Sequence, residues 1–212
     1  SGQLDLAENV TNINDLNTLR EDPNFTVTIA SGVRTGLAHM NMSEGRLLSN
    51  KTLREAVLMA LDDDTMCSVT VGGLYTSGYS VLPSNLDYGY ENLTDPYPYN
   101  QEEAKKLLDD AGIVDTNGDG IRELDGKEIV LHYVTYENRC LDDFAEAIQQ
   151  QLSEIGIGVD LEIGDSARQW DSYQSGDFDL NGSNWTTVGT GDPTEYLAAW
   201  CSTSGSDYCG YK

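Results

Sequence analysis

From Glu102 onward the chain alternates between two hydrophobic periods, and that alternation limits the folds open to it. Ala104, Leu107, Leu108 and Ala111 recur at helical spacing and stop at Gly112. Residues 128–136 then read as a strand, with Ile129, Leu131 and Tyr133 on one face and Val130, His132 and Val134 on the other. An amphipathic helix over 141–155 ends at Gly156, and a strand follows over 157–163. Asp165 caps a short helix carrying Trp170 and Tyr173, and Phe178 and Leu180 open another strand. Asp192 and Pro193 start a last helix to Trp200, as N-cap and first helical residue. Helices alternating with strands in this way predict an α/β layer, a sheet with helices packed on it.

The upstream part is less regular. From Val10 a spacing of three through Ile13, Leu16 and Leu19 predicts a helix that stops at Asp22-Pro23. Phe25 to Ile29 alternates as a strand, and Val33 to Asn41 reads as a second strand carrying Arg34. Asn50 caps a helix from Lys51 to about Leu61. Residues 68–100 hold three prolines, four glycines and six tyrosines, and predict a long wrap with little regular structure.

At 212 residues the chain suits one large domain or two small ones and is long enough to bury a core. It carries 36 acidic against 12 basic side chains, a net charge of −24, which argues against nucleic acid and anionic membrane as partners. No apolar run approaches the ~18 residues a membrane helix needs. The chain opens at Ser1 with no visible leader and stops in mid-pattern at Lys212, as a segment of something longer would. Cys67, Cys140, Cys201 and Cys209 form no CxxC pair, so a zinc site is not expected. Cys201 and Cys209 flank a Ser/Gly/Asp loop; spacing alone leaves open whether they bridge or stay thiols. Asp115, Asn117, Asp119 and Gly120 match the start of a calcium loop, but the twelfth position is Gly126 and a strand follows. These residues are read as an Asx-rich turn leading to a hairpin, not as a calcium site.

The residues that most suggest ligand contact are 178–193. A short strand meets Trp185 at its end, then Thr186, Thr187 and a Gly/Thr loop aimed at a helix start. A flat aromatic face, hydroxyls and free backbone N–H groups suit a binding cleft. Trp185 as a core residue, with glycines that only make turns, fits the same residues.

Several words of the chain, in order, resemble family 5 of the extracellular solute-binding proteins. They are SGQLDLAEN at 1–9, NKTLREAVLMALDDD at 50–64, YNQEEAKKLLDDAGIVDTNGDGIRELDGKEIVL at 99–131, AIQQQLSEIGIGVDLE at 147–162, and FDLNGSNW followed by Asp192-Pro193. The resemblance covers nearly the whole chain. It implies a type II periplasmic-binding-protein lobe with a mixed sheet, here the single lobe after the hinge of a two-lobe protein, with the chain ends near one another at that hinge. It also implies an extracytoplasmic, monomeric component of an ABC importer, with permease subunits as partners. Any membrane attachment would come from an anchor outside this segment.

One departure from the family bears on the ligand. In peptide-binding members an acid closely follows the cleft Trp and pairs with the peptide's α-ammonium. Here Trp185 is followed by Thr-Thr-Val-Gly-Thr-Gly, and the first acid is Asp192. A buried ammonium without a counter-charge is costly, which favours a nickel or other metal chelate over a dipeptide or oligopeptide. SGVRTG at 31–36 resembles the nickel branch. Arg34, Trp185, Thr186 and Thr187 are the candidate ligand-binding residues, with Arg34 gripping a chelator carboxylate by paired hydrogen bonds. No residue is assigned to hold the metal itself and no resident cofactor is expected. His39 and His132 sit in strand patterns, where a histidine is more often structural than a ligand. No nucleophile elbow, zinc-protease, P-loop or dinucleotide motif is present, so no enzymatic activity is expected. A carbohydrate-active enzyme or an adhesion module is the alternative from another class.

Overall fold

The computed structural model describes residues 4–200 and 207–211. The elements are α1 (Ile13–Glu21), β1 (Arg34–Met40), α2 (Lys51–Ala60), the single turn α3 (Asp63–Thr65), α4 (Gln101–Asp110), a small hairpin of β2 (Glu123–Leu124) and β3 (Lys127–Glu128), β4 (Val130–Tyr136), α5 (Leu141–Ser153), β5 (Gly158–Gly164), α6 (Ser166–Ser175), β6 (Leu180–Thr186) and α7 (Thr194–Ala199). Local chemistry places the helix starts. Asn50 accepts from Leu53 N at 3.1 Å, Asn100 from Glu103 N at 3.0 Å, and Asp165 from Arg168 N at 2.8 Å. Each satisfies an orphan donor of its helix's first turn.

The sheet runs β1-β6-β4-β5. β4 pairs parallel with both β5 and β6, while β1 pairs antiparallel with β6, so the sheet is mixed. This is the α/β architecture with a mixed sheet expected from the sequence. The pleat of β4 divides the two cores. Ile129, Leu131 and Tyr133 pack with Leu53 and Val57 of α2, Leu108 of α4, and Ile148 and Leu152 of α5. Val134 points the other way, to Tyr173 of α6 and Phe178. The first face of β4 is fully covered, whereas on the second Val134 is buried, His132 is half-buried and Val130 is exposed.

Two expectations need correction. Phe25 to Ile29 form no strand. Phe25 is 55% and Ile29 53% exposed, and alternation without a ladder partner does not make a strand. The last helix begins at Thr194, one residue later than expected, with Pro193 in the capping position. Asp192 still serves its start, accepting from Thr194 N at 2.7 Å.

The wrap over 68–100 is irregular, as predicted, apart from a π turn ending at Thr70 and a short 3-10 turn at Tyr90–Asn92. It is pinned beside the sheet: Thr35 Oγ1 donates to Val81 O at 3.1 Å and Asn85 Nδ2 to Gly32 O at 3.1 Å. The Asp115 loop is the Asx turn expected, with the carboxylate accepting from Gly118 N at 2.6 Å and Gly120 N at 2.8 Å before the β2–β3 hairpin. A Cys201–Cys209 bridge involves Cys201, which lies outside the described residues, as do both ends of the chain. Among the described residues no helix is long and apolar enough to cross a membrane.

Candidate functional site

β4, β5 and β6 end on one side of the sheet, and β1, being antiparallel, begins there. Crevices outside the carboxyl ends of parallel strands are where open α/β sheets hold ligands, because helix starts and loops converge there. A depression of about 400 Å³ lies at this edge, lined by Arg34 from β1, Tyr136 from β4, Ser166, Gln169 and Trp170 from α6, and Ser183, Asn184, Trp185 and Thr186 from β6.

The antiparallel register sets Arg34 opposite Thr186 and Thr35 opposite Trp185. That pairing joins residues 150 positions apart in sequence: Arg34 Nη1 stands 3.3 Å from Asn184 O and 3.5 Å from Asn184 Oδ1. Both contacts are long, and Arg34 is exposed, so most of its donors face outward. Trp185 is half-buried. Its indole lies 6.4 Å from that of Trp170, and its other neighbours are Trp200 at 5.5 Å and Tyr196 at 6.2 Å. It is at once the edge of an aromatic cluster and a wall of the depression.

Of the four residues expected at a site, Arg34, Trp185 and Thr186 line the same depression. Thr187 does not. It is 1% exposed and turns inward, with Oγ1 3.4 Å from Thr35 Oγ1. Thr187 lies one residue beyond the end of β6, where the chain turns and its side chain is carried inward. The sequence reading missed Trp170, Gln169, Asn184 and Tyr136 as lining residues. The signal for Trp170 was present: it sits three residues before Tyr173 on one amphipathic helix. Nothing local said that this face of α6 meets the end of β6.

Among the described residues no Asp or Glu lines the depression. Asp192, the first acid after Trp185, is exposed and bound to the start of α7, where hydrogen bonds from Thr194 hold its carboxyl below the usual range. Neither histidine is free for a metal. His39 meets Tyr173 OH through Nδ1 at 2.6 Å and Tyr196 OH through Nε2 at 3.2 Å, and burial pushes its pKa down to about 4. His132 Nε2 lies 3.1 Å from Glu162 Oε2. A second depression, of about 390 Å³, lies between α4 and the Asp115 loop. Its arginine, Arg122, spends its donors on Ile155 O, Ile113 O and Asp109, so the protein itself fills that role.

The sequence matches the model of the bacterial extracellular solute-binding proteins, family 5, middle region, over residues 1–208. The chain belongs to that family. Solute-binding family 5 relatives include the oligopeptide-binding protein AppA of Bacillus subtilis, 30% identical over 174 residues, which are 80% of this chain and 32% of that protein. The oligopeptide-binding protein OppA of Mycobacterium tuberculosis is 27% identical over 176 residues, 81% of this chain and 29% of that protein. The chain thus spans about a third of the length of the curated relatives it matches. Among solved structures, AppA from Bacillus subtilis in complex with a nonapeptide superposes with a TM-score of 0.78 at 25% identity, covering 94% of this chain and 40% of that one. NikA from Brucella suis in complex with Fe(III)-EDTA gives 0.72 at 24%, covering 84% and 35%, a likeness of fold. The family consists of solute-binding transport components, not catalysts.

Proposed function

We propose that this chain is the lobe after the hinge of an extracytoplasmic solute-binding protein that delivers its ligand to an ABC importer. It holds one side of a solute that offers a carboxylate to Arg34 and an apolar group to Trp170 and Trp185. The observation that carries this reading is the acid-free depression at the carboxyl ends of the strands, with one exposed arginine and two exposed indole edges. An arginine fork matches a carboxylate by two parallel hydrogen bonds. The amides of Asn184 and Gln169 are engaged within the protein, Asn184 with Tyr75 OH at 3.3 Å and Gln169 with Asn181 at 2.5 Å, so they shape the wall.

A peptide bound by its carboxylate end is the first ligand class. The oligopeptide-binding names of the relatives at 27–30% identity support it. A metal chelate carrying a carboxylate is the second, favoured by the missing acid that an α-ammonium would require. No catalytic constellation is assigned. A two-lobe site buries its ligand from both sides, so the isolated lobe is expected to bind weakly.

Calorimetry on the full-length protein tests the reading with three probes: a nonapeptide with a free carboxylate, its C-terminal amide, and nickel bis-histidine. Binding of the free peptide with loss on amidation supports the first class. Binding of nickel bis-histidine alone supports the second. Binding of none of the three, or equal binding of acid and amide, overturns the assignment of Arg34.

A further inference from the structure

We propose that Ser183, held in place by Tyr173 and His39, is the positioning residue that fixes the orientation of Trp185 in the cleft. The proposal rests on the reading of Trp185 as a ligand-facing residue, and its test separates the two claims. Trp185 Nε1 donates to Ser183 Oγ at 2.9 Å. The two residues are two apart on β6 and so share one side of the strand. An indole has a single donor. With that donor tied to the strand's own side chain, the ring cannot turn over about the bond to its Cβ without losing its partner.

Ser183 is 3% exposed, so its hydroxyl has no water to turn to. It stands 3.1 Å from Tyr173 OH and 3.2 Å from His39 Nδ1, while Tyr173 OH and His39 Nδ1 are 2.6 Å apart. One order of donors satisfies every group. Tyr173 donates to Nδ1 of a neutral His39, Ser183 donates to the Tyr173 oxygen, and Trp185 donates to Ser183. His39 is then protonated at Nε2 and donates to Tyr196 OH at 3.2 Å. Its ring also lies flat on Trp200, at 4.3 Å between centroids and 15° between planes. The indole at the cleft is thereby joined through four polar groups to β1, α6 and α7. A core that had only to be filled would need none of these groups, and once buried each must be matched.

Removing the serine hydroxyl leaves Tyr173 and His39 satisfied by each other, so Ser183→Ala should fold. The measurement is nuclear magnetic resonance of the full-length protein labelled with 15N at the indole nitrogens, with the Trp185 signal assigned through Trp185→Phe. In Ser183→Ala the Trp185 indole N–H should shift and exchange with solvent at least tenfold faster, while the Trp170 and Trp200 signals stay. Ser183→Thr, which restores a hydroxyl, should return the Trp185 signal. If Ser183→Ala does not fold, Ser183→Cys, a weak acceptor, gives the same readout. An unchanged Trp185 signal in the folded variant overturns the proposal. Nonapeptide affinity supplies the second arm, with Ser183→Ala expected to lose about threefold to tenfold. If the indole responds as expected but Trp185→Ala leaves nonapeptide affinity unchanged, Trp185 is tied by Ser183 without facing the ligand, and the cleft reading fails instead.

Discussion

Thr135 and Gly182 meet across the two central strands with no room for another atom. Thr135 Oγ1 donates to Gly182 O at 3.2 Å, and a methyl group on Gly182 would stand 2.6 Å from that same oxygen and 2.9 Å from Tyr133 OH. Both side chains are buried in the sheet and cannot swing away. Gly182→Ala should therefore cost about 1–3 kcal/mol, the usual range for overpacking a filled core. A urea midpoint that does not move would show that β4 and β6 separate freely.

Arg34 is exposed and only loosely tied to Asn184. Arg34→Gln should leave the thermal midpoint unchanged. A charge-assisted hydrogen bond contributes about 1.5–3 kcal/mol, so affinity for a carboxylate-bearing ligand should fall roughly tenfold to a hundredfold. Calorimetry showing equal affinity for both proteins would remove Arg34 from the site.

Trp185 has two duties, and its removal should show both. Lost ring contact with the ligand is worth about 0.5–1.5 kcal/mol beyond area burial, up to roughly tenfold in affinity. Lost contact with Trp170, Tyr196 and Trp200 should lower stability by about 2 kcal/mol, half the cost of truncating a fully buried aromatic. Trp185→Ala with a lower urea midpoint and unchanged affinity of the folded fraction would leave it a structural residue alone.

His39 makes stability depend on acid. Burial among Tyr173, Tyr196, Ser183 and Trp200, none of them a carboxylate, lowers its pKa from 6.5 to about 4. Between these values the unfolded chain binds a proton that the folded chain refuses, so stability falls as pH drops from 6.5 to 4. The loss is on the order of 3 kcal/mol. His39→Gln should flatten that limb of the stability curve in urea titrations at successive pH. An unaltered limb would place the acid sensitivity elsewhere.

Asp63 works in the opposite sense. Partial desolvation, then the charges of Asp95, Asp64 and Asp62, raise its pKa to about 6. The folded chain holds a proton between about 4 and 6 that the unfolded chain has released, so ionising Asp63 as pH rises destabilises the fold. Asp63→Asn should be more stable than the parent at pH 7, and the gain should disappear below pH 4. Added salt should narrow it, because the residue is exposed. Identical midpoints at pH 7 in low salt would refute the crowding of these four acids.

What the sequence determined was local. Asn50, Asn100 and Asp165 each reach a backbone N–H three residues on, a bond that depends on nothing beyond one helical turn. The alternation from Ile129 to Val134 placed Leu131 and Tyr133 on one face of a strand and Val134 on the other, because a pleat alone sends alternate side chains to opposite sides. Family words spread over 1–193 did the rest for the fold.

The tertiary structure decided which segments meet. Phe25 to Ile29 carries the pattern of a strand but has no partner among the described residues, and pairing is a property of two segments. β1 and β6 lie about 150 residues apart and find each other by register; only that register sets Arg34 beside Asn184 and brings it to the depression that Trp185 and Thr186 line, while the turn after β6 seals Thr187 beneath. Trp170 joins them because α6 packs across the end of β6. His39 looked like one polar residue in a strand until Tyr173, Tyr196 and Ser183 closed around it. Hydrogen bonds within a turn are written in adjacent residues. Contacts between distant segments follow from the packing of whole faces, and no single stretch of this chain carries that information.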